Sequence, residues 1–222
     1  MQDLFAGAVK IIEAAASGQS WALSQAVRDP GLFLLVSIAL LPLAFVLMLA
    51  FRKLKFVDKY FEPTLLVVIY LVIGGVIFIE VIRRFIFNVQ APWSTSLPAY
   101  LFLLMTWIGC AYNVKLRTHL SFGEFRAAMP PPARIWLQGL DAVLWYIMAV
   151  VVIVATLRLT VSSAANFQLL LGTNDIMRWW FYICVPLAWV VLYARVIENL
   201  LIDIRKYRSG QEFGLTNELA RE

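Results

Sequence analysis

The single histidine of this 222-residue chain, His119, limits the chemistry it can do. A bis-histidine haem cannot be assembled from it, and a serine or cysteine nucleophile would have to find its general base in that one imidazole. Cys110 and Cys184 have no CxxC spacing and lie in apolar stretches, which points to packing, not to a disulfide framework or a thiol relay. No set of His, Cys and carboxylates has metal-ligand spacing, and no P-loop sequence is present to cradle phosphates. The chain is therefore expected to be no enzyme and to carry no cofactor.

The other candidates are charged or polar groups within apolar surroundings. Glu80 precedes Arg83 and Arg84 by three and four residues, so the three share one helical face, and the spacing predicts an intrahelical pair with the arginines snorkelling to headgroups. Asp141 falls about one and a half turns inside its apolar stretch, where it can reach the interface or a partner such as Arg134. Arg195 and Glu198 are three apart near the end of the last apolar stretch. Thr106, Gly109 and Asn113 suit contact between helices better than contact with lipid. Embedded charge is confined to helix ends, which argues against an ion-coupled carrier acting alone.

The elements that must position these groups follow from composition. The chain is 62% apolar and 15% charged, against roughly a quarter charged in soluble domains. Five windows, near 31–51, 64–87, 97–114, 135–158 and 178–201, approach the ~20 apolar residues that a spanning helix needs. The expectation is an all-α integral membrane protein of about five transmembrane helices. Residues 1–30 form an amphipathic lead, with Leu4, Ala8, Ile11, Ile12 and Ala15 on one helical face and Asp3, Lys10, Glu13 and Ser17 on another. Such a helix suits the membrane interface, a partner, or simple packing on the bundle. Pro42 should kink the first span, a basic loop should precede Pro63, and Gly74-Gly75 reads as a close-packing point between helices. Trp93 anchors an uncharged turn, and the prolines at 130–132 read as a stiff linker.

Twelve of the nineteen Lys and Arg residues fall in 52–63, 115–134 and 202–222, four in each. The positive-inside rule then puts the N-terminus outside and the C-terminus in the cytoplasm. The net charge of +5 reflects this rim clustering and gives no reason to expect a nucleic-acid partner.

From Phe56 to about Tyr207 the pattern resembles the small membrane subunit of tripartite ATP-independent periplasmic (TRAP) transporters, the DctQ-like family. The matching features are Arg84-Phe85-Ile86-Phe87-Asn88 at a helix end, Trp93 in the turn, Trp107 with Gly109 in the next helix, and Arg117-Thr118-His119-Leu120-Ser121-Phe122 at its basic exit. VDKYFEP before the second span fits as well. The chain departs from the family in having Ser94, Thr95 and Ser96 after the turn tryptophan, where carboxylates are usual, and Arg-Phe where Arg-Tyr is usual. It also carries an added span, so the organisation read here is 1–30 lead, 31–55 extra helix and basic loop, 56–208 four-helix DctQ-like domain, and 209–222 polar tail.

The resemblance implies a scaffold subunit in a bacterial inner membrane. It would pair with a large DctM-like subunit and help receive a periplasmic substrate-binding protein in sodium-coupled import of an organic acid or related solute. The residues it brings forward as interface candidates are Arg83, Arg84, Asn88, Trp93, Trp107, Gly109, Asn113 and His119, to which the buried-charge argument adds Asp141. Two other roles fit a helical membrane chain: an anchor for a redox complex, which the single histidine disfavours, and a small enzyme acting on lipids, which would depend on His119.

Overall fold

In the computed structural model, residues 2–118, 129–173 and 175–211 are described. Their helices are α1 (Gln2–Ala16), α2 (Ser20–Ala26), α3 (Gly31–Lys53), α4 (Lys55–Ile86), α5 (Trp93–Leu116), α6 (Pro131–Ala165), α7 (Trp179–Tyr182) and α8 (Cys184–Arg208). Five are long and apolar enough to cross a membrane: α3, α4, α5, α6 and the near-continuous run Trp179–Arg208. This is the expected all-α architecture, and no strand is present among the described residues apart from one isolated bridge between Leu169 and Met177.

Several boundaries differ from those expected. The basic stretch after α3 is not a loop, because only Leu54 separates α3 from α4 and Asp58, Glu62 and Pro63 all lie within α4. The proline run is not a linker: Pro130 is extended (φ −64°, ψ 150°) and Pro131 and Pro132 form the first turn of α6, where a missing N–H costs no helical hydrogen bond. α6 also continues past Arg158 to Ala165.

α8 is the central helix. Over half of the most apolar stretch of its span is buried (56%), against 6% for α4. Its Trp189, Leu192, Tyr193, Ala194 and Val196 join one core with Val36, Leu40, Ala44 and Met48 of α3, Ala111 and Val114 of α5, and Ala149, Val150, Ile153 and Val154 of α6. The fully enclosed alanines at 44, 149 and 194 let the helix backbones approach, the packing mode on which membrane bundles depend. Trp189 sits between two other indoles, with ring centroids 5.1 Å from Trp107 and 6.2 Å from Trp145. Tyr146 stacks on Tyr193 and donates its hydroxyl to the Ser37 carbonyl at 2.8 Å, joining α6 to both α8 and α3.

The N-terminal segment is part of the same bundle. α1 crosses the start of α3 so closely that a Cβ on Gly31 would stand 2.4 Å from the Ala8 backbone nitrogen. Arg158 of α6 then holds α2, its Nε donating to the Val27 carbonyl (2.9 Å) and its Nη2 to those of Arg28 (3.2 Å) and Asp29 (3.3 Å). These carbonyls follow the last turn of α2 and have few helical donors of their own. Arg158→Ala should cost about 1–3 kcal/mol through those orphaned acceptors. Limited proteolysis at the Ser17–Gln19 turn, faster in the variant than in the parent, would register it; equal cutting rates would show that Arg158 does not hold α2.

Candidate functional site

At the basic rim, one end of the bundle gathers charge that lies scattered along the chain. Asp58 and Glu62 are four apart on α4 and so share a face, Lys115 ends α5, and Arg195 and Glu198 lie on α8. Arg195 and Glu62 are almost completely enclosed, at 1% and 0% exposure. Arg195 Nε donates to Glu62 Oε1 at 2.8 Å, and Nη1 donates to both Asp58 Oδ1 and Glu198 Oε2, the latter at 2.9 Å. The Phe51 ring of α3 covers the guanidinium, 4.2 Å from Cζ. Lys115 Nζ donates to the Asp58 carbonyl and carboxylate and lies 3.4 Å from Glu62 Oε2, an ion-pair contact without hydrogen-bond geometry. Arg195 Nη2 is buried without a partner among the described residues.

A second pair extends the cluster. Arg117 ends α5 in a left-handed conformation (φ 57°), with the Thr118 N–H returning to the Asn113 carbonyl and its own N–H to that of Val114. That is the Schellman closure, normally given to glycine. An arginine here accepts backbone strain of about 1–2 kcal/mol, and its side chain uses the position: Nη1 donates to both oxygens of Asp203 at 2.9 Å and Nη2 to the Asn199 carbonyl at 3.2 Å.

This arrangement can hold helices together but has little capacity for reaction. A guanidinium is a permanent cation with donors only, and the carboxylates it meets are committed to bases. No group of three or more His, Cys, Asp or Glu among the described residues could hold a metal ion. The cluster fastens α4 and α5 to α8, with α3 as its lid.

The charge-poor rim is built from backbone hydrogen bonds. Glu80 does not pair with Arg83 or Arg84 as its spacing predicts; Oε1 accepts the Ala91 N–H at 3.1 Å and fixes the α4–α5 turn. The reason is geometric, because the turn folds back over α4 and offers a buried donor closer than the arginines. Asn88 takes a left-handed conformation (φ 53°), which asparagine tolerates, while Phe87 and Val89 both donate to the Arg83 carbonyl at 3.2 Å. Ser94 is buried and donates to the Ala91 carbonyl at 2.6 Å. The segment after α6 docks on this turn: Ser96 donates to the Leu171 carbonyl at 3.1 Å, and Gly172 (φ +81°) lies flat on Pro92 and Trp93. Tyr100 lies 5.2 Å from Phe181 and 5.8 Å from Tyr182, centroid to centroid, completing an aromatic seam.

The expected site residues therefore divide between the two ends and the core. Arg83, Arg84, Asn88 and Trp93 gather at the charge-poor rim, with Arg84 and Asn88 exposed and Arg83 and Trp93 half-buried. Trp107 is in the indole stack with its Nε1 buried and unbonded. Gly109 faces α4, where a Cβ would meet Leu66 Cδ2 at 3.7 Å. Asn113 is exposed and accepts from the Thr118 hydroxyl at 3.2 Å, Asp141 is half-buried on α6, and His119 lies outside the described residues. Gly74 and Gly75 are not a packing point among the described residues, since a Cβ on either would meet nothing there within 4 Å. The Asp58–Glu62–Lys115–Arg195 cluster was not anticipated. Its signal was available: a base inside a span needs a carboxylate partner, and an i, i+4 acidic pair was waiting in a stretch misread as a loop.

Residues 73–206 match the family described as tripartite ATP-independent periplasmic transporters, DctQ component. No curated protein matches the chain.

Proposed function

Since this chain belongs to the DctQ component family of tripartite ATP-independent periplasmic transporters, we propose that it is the scaffold subunit of a sodium-coupled importer of an organic acid or related solute, pairing with a large DctM-like membrane subunit in a bacterial inner membrane. As a transporter component it is a partner in transport, not an enzyme. The positive-inside rule supports an orientation with the Arg195 cluster at the cytoplasmic rim and the Trp93–Gly172 platform at the periplasmic one. In that orientation the platform, with Arg83, Arg84 and Asn88 beside it, shares the periplasmic side with α1 and α2, and it is the surface we assign to a periplasmic substrate-binding protein.

The observation that carries the pairing is the bareness of α4. Val67, Leu71 and Phe78 are each 58% exposed or more, and the open glycines Gly74 and Gly75 lie among them. Small residues on a membrane helix have no value against lipid, whereas they let another helix approach closely. The large subunit is the occupant that fits, and the cytoplasmic lock then keeps α4 upright as its mounting face. Gly75→Trp should lower recovery of the large subunit with this chain at least several-fold without lowering the chain's own folded yield. Ile147→Trp, on the exposed face of α6, should leave recovery unchanged. Loss of the partner from both variants, or from neither, would remove α4 as the mounting face.

A further inference from the structure

Around the circumference of α1, three kinds of surface follow one another. Gly7, Ala8 and Ile11 are buried against the chain. Phe5, Val9 and Ile12, the next sector of the helix, are more than half exposed, at 53%, 52% and 56%. Asp3, Lys10 and Glu13 occupy the remaining sector and are exposed. A helix packed on the bundle in water would be polar outside its docked face. Here a second apolar face lies between the docked face and the polar one.

The position of α1 indicates what covers that second face. It passes against Gly31, the first residue of the spanning helix α3, where a Cβ would also come within 3 Å of the Gly7 backbone. Gly7 in turn packs on the Asp29 carboxylate, whose Oδ1 accepts the Gly31 N–H at 2.8 Å. This crossing pins α1 to the membrane boundary at that end, whichever side of the membrane it is. Phe33, in the first turn of α3, is also exposed, and after the short turn that ends α1 the indole of Trp21 on α2 is exposed as well. An exposed tryptophan at a span boundary is the usual companion of headgroups.

We propose that α1 lies in the membrane plane as an interfacial helix, with Phe5, Val9 and Ile12 seated at the boundary between headgroups and acyl chains and with Asp3, Lys10 and Glu13 turned to water. Anchored by the close Gly7–Gly31 contact, it sets the depth at which α3 enters the bilayer. The proposal does not depend on the transport reading, since it needs only a spanning α3.

Spin labels test it on the full-length chain, purified with its bound partners and placed in bilayer discs of phosphatidylethanolamine and phosphatidylglycerol. In a Cys110→Ala, Cys184→Ala background, single labels go on Phe5→Cys, Val9→Cys, Ile12→Cys, Lys10→Cys and Glu13→Cys. The expected result is a helical period in collision rates: oxygen favoured over a water-soluble nickel chelate several-fold more at 5, 9 and 12 than at 10 and 13. High nickel accessibility at all five positions would overturn the proposal by putting the face in water. Labels at 5, 9 and 12 that are immobilised and shielded from both reagents would overturn it by showing a protein partner on that face.

Discussion

Arg195→Met should nearly abolish recovery of folded protein. The substitution leaves Asp58 and Glu62 with Lys115 as their one remaining base among the described residues and takes away the Glu198 partner, with Glu62 fully enclosed. Breaking a buried ion pair by removing one partner costs about 3–5 kcal/mol, a large share of the about 5–15 kcal/mol that a folded domain has in total. Arg195→Lys should fall between, because an ammonium keeps the charge but cannot reproduce the paired reach of Nε and Nη1 to three carboxylates. Glu62→Gln should be tolerated far better, since it keeps an acceptor for Nε and removes one of three negative charges. Folded, monodisperse yield after detergent extraction separates the three. Parental yield from Arg195→Met would show that the cluster does not lock the helices.

Gly172→Ala should damage transport while sparing the Arg195 cluster at the basic rim. Gly172 has φ +81°, and a Cβ there would come within 2.4 Å of the Trp93 backbone nitrogen and 2.6 Å of the Pro92 carbonyl carbon. Left-handed backbone costs a non-glycine residue about 1–2 kcal/mol, and the overpacked contact adds about 1–3 kcal/mol. The two nearest neighbours are main chain, so the stretch around Leu171 and Gly172 must lift off the α4–α5 turn and lose the bond from Ser96 to Leu171. If the platform receives a binding protein, uptake should drop several-fold while the large subunit still co-purifies. Unchanged uptake would take the platform out of the transport cycle.

How far the sequence led depended on the range of the interaction. The five spans were legible because apolar runs of membrane length have few other fates. Local capping is partly legible: Asn88 stands at a helix end in the motif, and its left-handed backbone gives the physical reason. Long-range pairing was not. Glu80 was matched to the nearest bases in sequence, whereas the Ala91 N–H eleven residues on was the group the fold brought to it. Asp58 and Glu62 meet Arg195 across more than 130 positions, and nothing in either stretch alone names the other. The glycine pair reads in the sequence as a close-packing point between helices, yet among the described residues no other helix approaches it. The added N-terminal span was visible as a span, while its integration through Phe51 over Arg195 and Arg158 under α2 required the packed bundle.

The most direct measurement is affinity purification of the full-length chain in mild detergent, followed by mass spectrometry and stoichiometry of what remains bound. The account predicts a large polytopic membrane subunit in a one-to-one ratio, lost from Gly75→Trp. Recovery of the chain alone, folded and monodisperse, would contradict the scaffold role.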